Sequence, residues 1–261
     1  MTFRDKSVFI TGSVQGIGLA IAERLGKAGA EIVLHGLEET KAEEALDRVT
    51  ATGAKARFVG GDLAKGQPGN IAELVERVWA EGPVDLLVCN AGTYIDDAFL
   101  EMSYQKLDLT LRLNVYAYFL TVQEVAKRWV AAGTKGRIVL VGSINGRLAE
   151  DKHVAYDASK GAVEAMVRSL AVSLAPHGIR VNGMAPGLLY TPLTSPALDD
   201  ARFLQWMKLH TPSGEVPGPE ACASTVEFLL SDDAWHVRGQ MIFVDGGMSA
   251  WQQPDPPAEL I

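Results

Sequence analysis

Val8-Phe9-Ile10-Thr11-Gly12-Ser13-Val14-Gln15-Gly16-Ile17-Gly18-Leu19-Ala20-Ile21-Ala22-Glu23 runs from a short apolar strand through a glycine-rich turn into an amphipathic helix. Glycines at such a junction permit a tight turn, close approach of a pyrophosphate and tight packing of helix on strand. The free N–H groups at the helix N-terminus would face the ligand's negative charge. A bare structural turn is the other reading of the same glycines. Outward from this stretch, short aliphatic runs alternate with longer amphipathic ones, the pattern of a parallel sheet covered by helices on both faces. Strands are predicted at Val8-Phe9-Ile10, Ile32-Val33-Leu34, Arg57-Phe58-Val59, Leu86-Leu87-Val88, Ile138-Val139-Leu140-Val141, Ile179-Arg180-Val181 and Met241-Ile242-Phe243-Val244, and helices at 16–28, 39–52, 70–81, 104–132, 154–175 and 219–231. The expected fold is therefore α/β: one Rossmann-type, doubly wound domain over 1–261 with a seven-stranded parallel sheet. A proline-punctuated insertion at about 187–217, before the last helix, reads as a mobile lid. The proline-rich tail at about 250–261 cannot continue a helix or a central strand.

Composition narrows the class. With 48% hydrophobic and 21% charged residues in 261, the chain can bury a large core, which excludes disorder over most of its length. Its 26 glycines follow no Gly-X-Y repeat, so it is not collagen-like. Against 32 Asp+Glu stand 24 Lys+Arg, a net charge of −8 that opposes nucleic acid as a partner. Cys89 and Cys222 both fall in apolar runs and read as buried thiols of a reducing compartment. Neither an N-terminal apolar signal region nor a membrane-length apolar run is present, so a soluble, cytoplasmic protein is expected. His35, His177, His210 and His236 have no partners at metal-ligand spacing, and no metal is expected.

Further motifs lie in order along the chain: Thr11-Gly12 to Gly16-Ile17-Gly18, Asn90-Ala91-Gly92, Ser143, Tyr156 with Lys160 four residues on, and Pro186-Gly187. Together they resemble the short-chain dehydrogenase/reductase superfamily over nearly the whole chain. The resemblance implies a catalytic set of Asn114, Ser143, Tyr156 and Lys160. Tyr156 would be general base in alcohol oxidation and general acid in carbonyl reduction, and Ser143 would bind the substrate oxygen. Lys160 would hold the nicotinamide ribose and favour the tyrosinate, and Asn114 would organise a water leading to the lysine. An i, i+4 spacing on a helix puts Tyr156 and Lys160 on one face. An ordinary amphipathic pair is the alternative. Lowering the tyrosine to a pKa of ~7 requires ~4 kcal/mol, which Lys160 and an oxidised nicotinamide could supply jointly.

The cofactor residues expected from the same resemblance are Gly12, Ser13, Gln15, Gly16, Ile17, Gly18, His35, Gly36, Leu37, Asp62, Leu63, Asn90, Ala91, Gly92, Tyr156, Lys160, Pro186, Gly187 and Thr191. Asp62 could equally be a turn-capping aspartate. At the end of the second strand, Gly36 stands where an acidic residue usually holds the ribose of NAD, and Leu37 where a basic one accommodates the phosphate of NADP. With Gln15 in the turn, no cation is evident there, and Glu38 and Glu39 would repel a phosphate. NAD is expected over NADP. Tyr94, Ser143, Asn145, His153 and Leu188 are placed to line the substrate pocket, with Arg147 either gripping an acidic substituent or facing solvent. The expected activity is hydride transfer between NAD(H) and a secondary alcohol or carbonyl of a polar sugar, polyol or hydroxy acid. The alternatives are an NADPH-dependent 3-oxoacyl-thioester reductase and a non-catalytic dinucleotide sensor. Similar chains are commonly tetramers, which implies a homotetramer that uses the helices at 104–132 and 154–175 and the last helix and strand.

Overall fold

The computed structural model describes residues 2–37, 39–65 and 67–251. Seven strands form one sheet: β1 (Ser7–Ile10), β2 (Glu31–Gly36), β3 (Ala56–Gly60), β4 (Leu86–Cys89), β5 (Arg137–Val141), β6 (Arg180–Pro186) and β7 (Met241–Val244). Their spatial order is β3-β2-β1-β4-β5-β6-β7, and every pairing is parallel. Central parallel strands are buried on both faces and so read as unbroken apolar runs. Leu86-Leu87-Val88-Cys89 is buried at every position. On one face lie α1 (Gly16–Lys27), α2 (Glu39–Thr50) and α9 (Glu220–Leu230), with Leu19, Ile21 and Leu25 packed in one cluster with Val226, Leu229 and Leu230. On the other lie α3 (Pro68–Trp79), α4 (Tyr104–Leu111), α5 (Ala117–Ala132) and α6 (Val154–Leu174), with Trp129, Tyr118, Val163 and Val167 in a second cluster.

This strand order places the two crossover directions on opposite sides of β1. The carboxyl ends of β1 and β4 therefore open a crevice, the topological switch point at which such folds hold ligands. One predicted element divides. The single helix expected at 104–132 is α4 and α5 joined by a π turn, Arg112–Tyr116. π turns insert one extra residue into a helix and occur mostly at functional sites. Hydrophobic periodicity continues through the insertion, which hides it from the sequence.

The insertion after β6 contains α7 (Ser195–Leu198) and α8 (Ala201–Leu209), the latter capped by the Asp200 carboxylate, which accepts from Arg202 N at 2.8 Å. No residue of α8 is buried. Of the C-terminal tail, residues 252–261 lie outside the described residues, as does Glu38. Among the described residues no helix is long and apolar enough to cross a membrane.

Candidate active site

The switch-point crevice is a cleft of about 330 Å³. Its β1–β3 half is built from backbone. Gly12 has φ +62°, and a Cβ there would sit 2.7 Å from Ala91 Cα, while one on Gly18 would sit 2.4 Å from the Gly12 carbonyl oxygen. Both positions are closed to any larger residue. Asn90 Nδ2 donates to the carbonyls of Thr11 at 3.1 Å and Gly12 at 2.8 Å, fixing the turn against the end of β4. His35 braces it from β2: its Nδ1 accepts from Gly12 N at 3.2 Å and its carbonyl accepts from Ser13 N at 2.8 Å. An Nδ1 that accepts assigns the ring proton to Nε2. Burial holds His35 down to about 4 from the usual 6.5, which keeps the ring neutral.

Of the residues expected at the cofactor, Gly12, Gln15, Gly16, Ile17, His35, Gly36, Leu37, Asp62, Leu63, Asn90, Ala91, Gly92, Tyr156, Lys160, Pro186 and Thr191 line the cleft. Ser13, Gly18 and Gly187 do not. Ser13 is fully buried, donating from Oγ to Ile10 O at 2.7 Å and accepting from His35 N at 2.9 Å. Gly18 packs beneath the turn, and Gly187 is held by its N–H on Val244 O at 3.0 Å. These three shape the wall from behind. Asp62 lines the cleft and accepts from Ala64 N at 2.9 Å as a turn cap.

The sequence shows no cation at Gln15 or Leu37, and Lys41, in the first turn of α2, lines the same cleft. Sequence reasoning also missed Val14. A Cβ on Gly36 would meet Val14 Cγ2 at 2.8 Å, so Val14 occupies the space an acidic side chain at 36 would need. Leu37, 68% exposed, presents an apolar surface beside it.

The β4–β6 half is built from side chains. Tyr156 and Lys160 stand one turn apart on α6, with Lys160 Nζ 5.6 Å from the Tyr156 ring centre and donating to Val141 O at 3.2 Å. Burial lowers Lys160 to about 8. Burial also raises Tyr156, and a hydrogen bond with the Ser143 hydroxyl pulls it back in part. Burial thus dominates at Tyr156, whereas the lowering expected from the sequence was the joint work of Lys160 and an oxidised nicotinamide. Asn114, wholly buried in the π turn, accepts from Thr93 N at 2.8 Å and donates to Thr93 O at 2.9 Å and Ser159 Oγ at 3.0 Å. Its side chain thus ties the loop after β4 to α6. Gly92 lies against both, since a Cβ there would be 3.3 Å from Asn114 Oδ1 and 3.8 Å from Lys160 Nζ.

Beyond Tyr156 the expected substrate residues form a network. The Tyr94 ring meets those of Tyr156 and His153 edge-on, with centroids 5.4 and 4.7 Å apart, and its hydroxyl hydrogen-bonds His153 Nε2. Asn145 is drawn away from the pocket. Its Nδ2 donates to Glu150 Oε1 at 3.1 Å and Asp157 Oδ1 at 2.9 Å, which turns its Oδ1 to accept from Ser143 Oγ at 3.3 Å. Asn145 is thus positioned behind Ser143, and the two carboxylates that hold it were not singled out from the sequence. Arg147 grips Glu164 through Nε at 2.9 Å and Nη2 at 2.6 Å and lies over Phe243. Leu188 is half-buried at the start of the insertion after β6.

A switch-point cleft with a glycine turn on one wall and a Tyr–Lys helix on the other defines a nicotinamide-dependent oxidoreductase. The family model described as Enoyl-(Acyl carrier protein) reductase matches residues 12–249, and the chain belongs to the short-chain dehydrogenase/reductase superfamily, whose members are NAD(P)-dependent oxidoreductases. It is similar to a glucose 1-dehydrogenase of Gluconobacter oxydans, 34% identical over 253 residues, 95% of this chain and 94% of that one. It is also similar to a 5-keto-D-gluconate 5-reductase of Escherichia coli, 35% identical over 244 residues that cover 93% and 95% of the two chains. Among solved structures, a gluconate 5-dehydrogenase from Burkholderia cenocepacia in complex with NADP and tartrate superposes with a TM-score of 0.90 at 31% identity, covering 96% and 98%.

Proposed function

We propose that this enzyme transfers hydride between NAD(H) and a secondary alcohol or carbonyl of a polar sugar, polyol or hydroxy acid. The observation that carries the reading is Tyr156 in the wall of the switch-point cleft, with Lys160 one turn along α6 and the Ser143 hydroxyl bonded to it. A dinucleotide fits the glycine cradle, which leaves no room for a Cβ at Gly12 or Gly18. Gly12 to Ile17 would hold the pyrophosphate, Asp62 and Leu63 the adenine, and Lys160, Pro186 and Thr191 the nicotinamide end. When bound, the oxidised nicotinamide supplies a hydride acceptor and a positive charge. In oxidation Tyr156 Oη takes the hydroxyl proton as hydride leaves the carbinol carbon, and Ser143 Oγ stabilises the substrate oxygen. Lys160 holds the ribose and lowers the cost of the tyrosinate, and Asn114 keeps the Thr93 loop against α6. The test is Tyr156→Phe, assayed by nicotinamide absorbance over a panel of sugars, polyols and hydroxy acids. Unchanged turnover would rule the mechanism out.

NAD is the proposed cofactor, supported by Leu37 and Gln15 at positions where a cation would meet a 2′-phosphate and by Glu39 at the start of α2. Lys41 and the NADP held by the Burkholderia gluconate 5-dehydrogenase favour a second reading, NADP with the same class of substrates. Specificity constants for both cofactors separate the two readings, and a tenfold preference for NADPH would overturn the first. We further propose a cytoplasmic homotetramer. Free, buried Cys89 and Cys222 support a reducing compartment, and exposed Tyr116 and Phe119 on the α5 side with Val172 on α6 support a subunit interface. Light scattering of the purified protein tests the assembly.

A further inference from the structure

Resting on the sugar and polyol reading above, we infer that this enzyme selects neutral polyhydroxylated substrates and turns sugar acids away. Carboxylates gather beside Tyr156, behind Asn145. Glu150 and Asp157 converge there on the Asn145 amide, at 3.1 and 2.9 Å, and Asp157 Oδ2 also accepts from Glu150 N at 3.2 Å. Glu150 Oε1 stands 3.3 Å from His153 Nδ1, whose ring in turn bonds the Tyr94 hydroxyl. Exposed Asp96 lies two residues beyond Tyr94 in the same loop. The charges that act on Tyr94 are those of Asp96, Glu150 and Asp157, and the charges that act on Tyr156 are those of Asp157 and Glu150; all raise the tyrosines. The carboxylates of Asp96, Glu150 and Asp157 thus surround this face.

Three nearby cations are engaged elsewhere. Arg147 is clamped on Glu164, and Lys106 bonds Asp97 at 2.7 Å. Lys160 is buried beside Gly92 with its ammonium on Val141 O. What the face offers instead is neutral hydrogen bonding from the hydroxyls of Ser143 and Tyr94, beside an aromatic edge. Hydroxyl-rich, uncharged substrates meet partners there, whereas a carboxylate meets repulsion of about three- to fivefold per charge at low salt.

The experiment compares each aldonate with its own aldonamide, which keeps the hydroxyl pattern and removes the charge, alongside the parent aldose. With the preferred cofactor saturating, kcat/KM is measured at ionic strengths of about 20 and about 300 mM, where screening differs strongly. The aldonamide is expected to exceed the aldonate by about tenfold at low salt, the gap narrowing at high salt. Asp96→Asn, at an exposed position, should raise aldonate kcat/KM about threefold at low salt and leave the aldonamide value in place. Aldonate turnover equal to or above that of the aldonamide overturns the inference, as does an active aldose beside an equally inert acid and amide. Failure of every sugar, polyol and sugar derivative overturns the function on which the inference rests, so the two failures are distinguishable.

Discussion

The two halves of the cleft are made of different material. On the β1–β3 side the wall is main chain, with glycines whose missing Cβ atoms would strike Ala91, the Gly12 carbonyl or Val14. On the β4–β6 side Tyr156 and Lys160 face the cleft, backed by a chain of side chains from Tyr94 through His153, Glu150 and Asn145 to Ser143. A backbone wall presents N–H groups at fixed positions and fails by collision. A side-chain network can be retuned one charge at a time and fails by losing a proton acceptor or a partner. The first suits a ligand whose pyrophosphate does not vary, the second a substrate whose hydroxyl pattern does.

The sharpest way to break this contrast is Tyr156→Phe. It should lower turnover by about 10²–10⁴-fold while fluorescence titration finds cofactor affinity within about twofold of the parent. A parallel loss of cofactor binding would show that the halves are not separable. Next in size is the acid response of the backbone half. His35 stays neutral in the fold down to about 4 but takes up a proton at 6.5 when unfolded, so between these values the unfolded state binds more protons and stability rises with pH. This contribution is complete above pH 6.5 and lost as pH falls through 4, about 3 kcal/mol in all. Denaturant unfolding at a series of pH values should show it, and His35→Asn should flatten the slope.

Gly18→Ala should cost about 1–3 kcal/mol of stability by forcing the turn away from its 2.4 Å collision, and should weaken cofactor binding with it. An alanine tolerated in both measurements would remove the steric argument for this wall. Smallest is Lys160→Met. Removing a buried ammonium held down to about 8 should raise stability by about 1–2 kcal/mol, after the lost bond to Val141 O, even as turnover falls. A fold that gains while catalysis fails would mark the lysine as kept for chemistry.

Much of the scaffold was legible because parallel strands buried on both faces leave unbroken apolar runs, and because a glycine turn between strand and helix is a local feature. The Tyr156–Lys160 pair was legible for the same reason, its geometry being one helical turn. The π turn at Asn114 was not, since an inserted residue leaves hydrophobic periodicity almost intact. Nor was the reorientation of Asn145, since nothing in the sequence ties Glu150 and Asp157 to it. His153 was expected in the pocket, and its bond to Tyr94 across 59 residues turns it into part of the wall behind.

By itself the sequence determined the strands, the glycine cradle and the helix that carries Tyr156 and Lys160, because each depends on neighbours within a turn or a strand length. Only the tertiary structure decided that Val14 fills the space beside Gly36, that Lys41 lines the cleft, and that Glu150 and Asp157 converge on Asn145 beside Tyr156. Those outcomes depend on which chain ends the parallel crossovers bring together, and on distances that set whether a charge is paired, screened or felt.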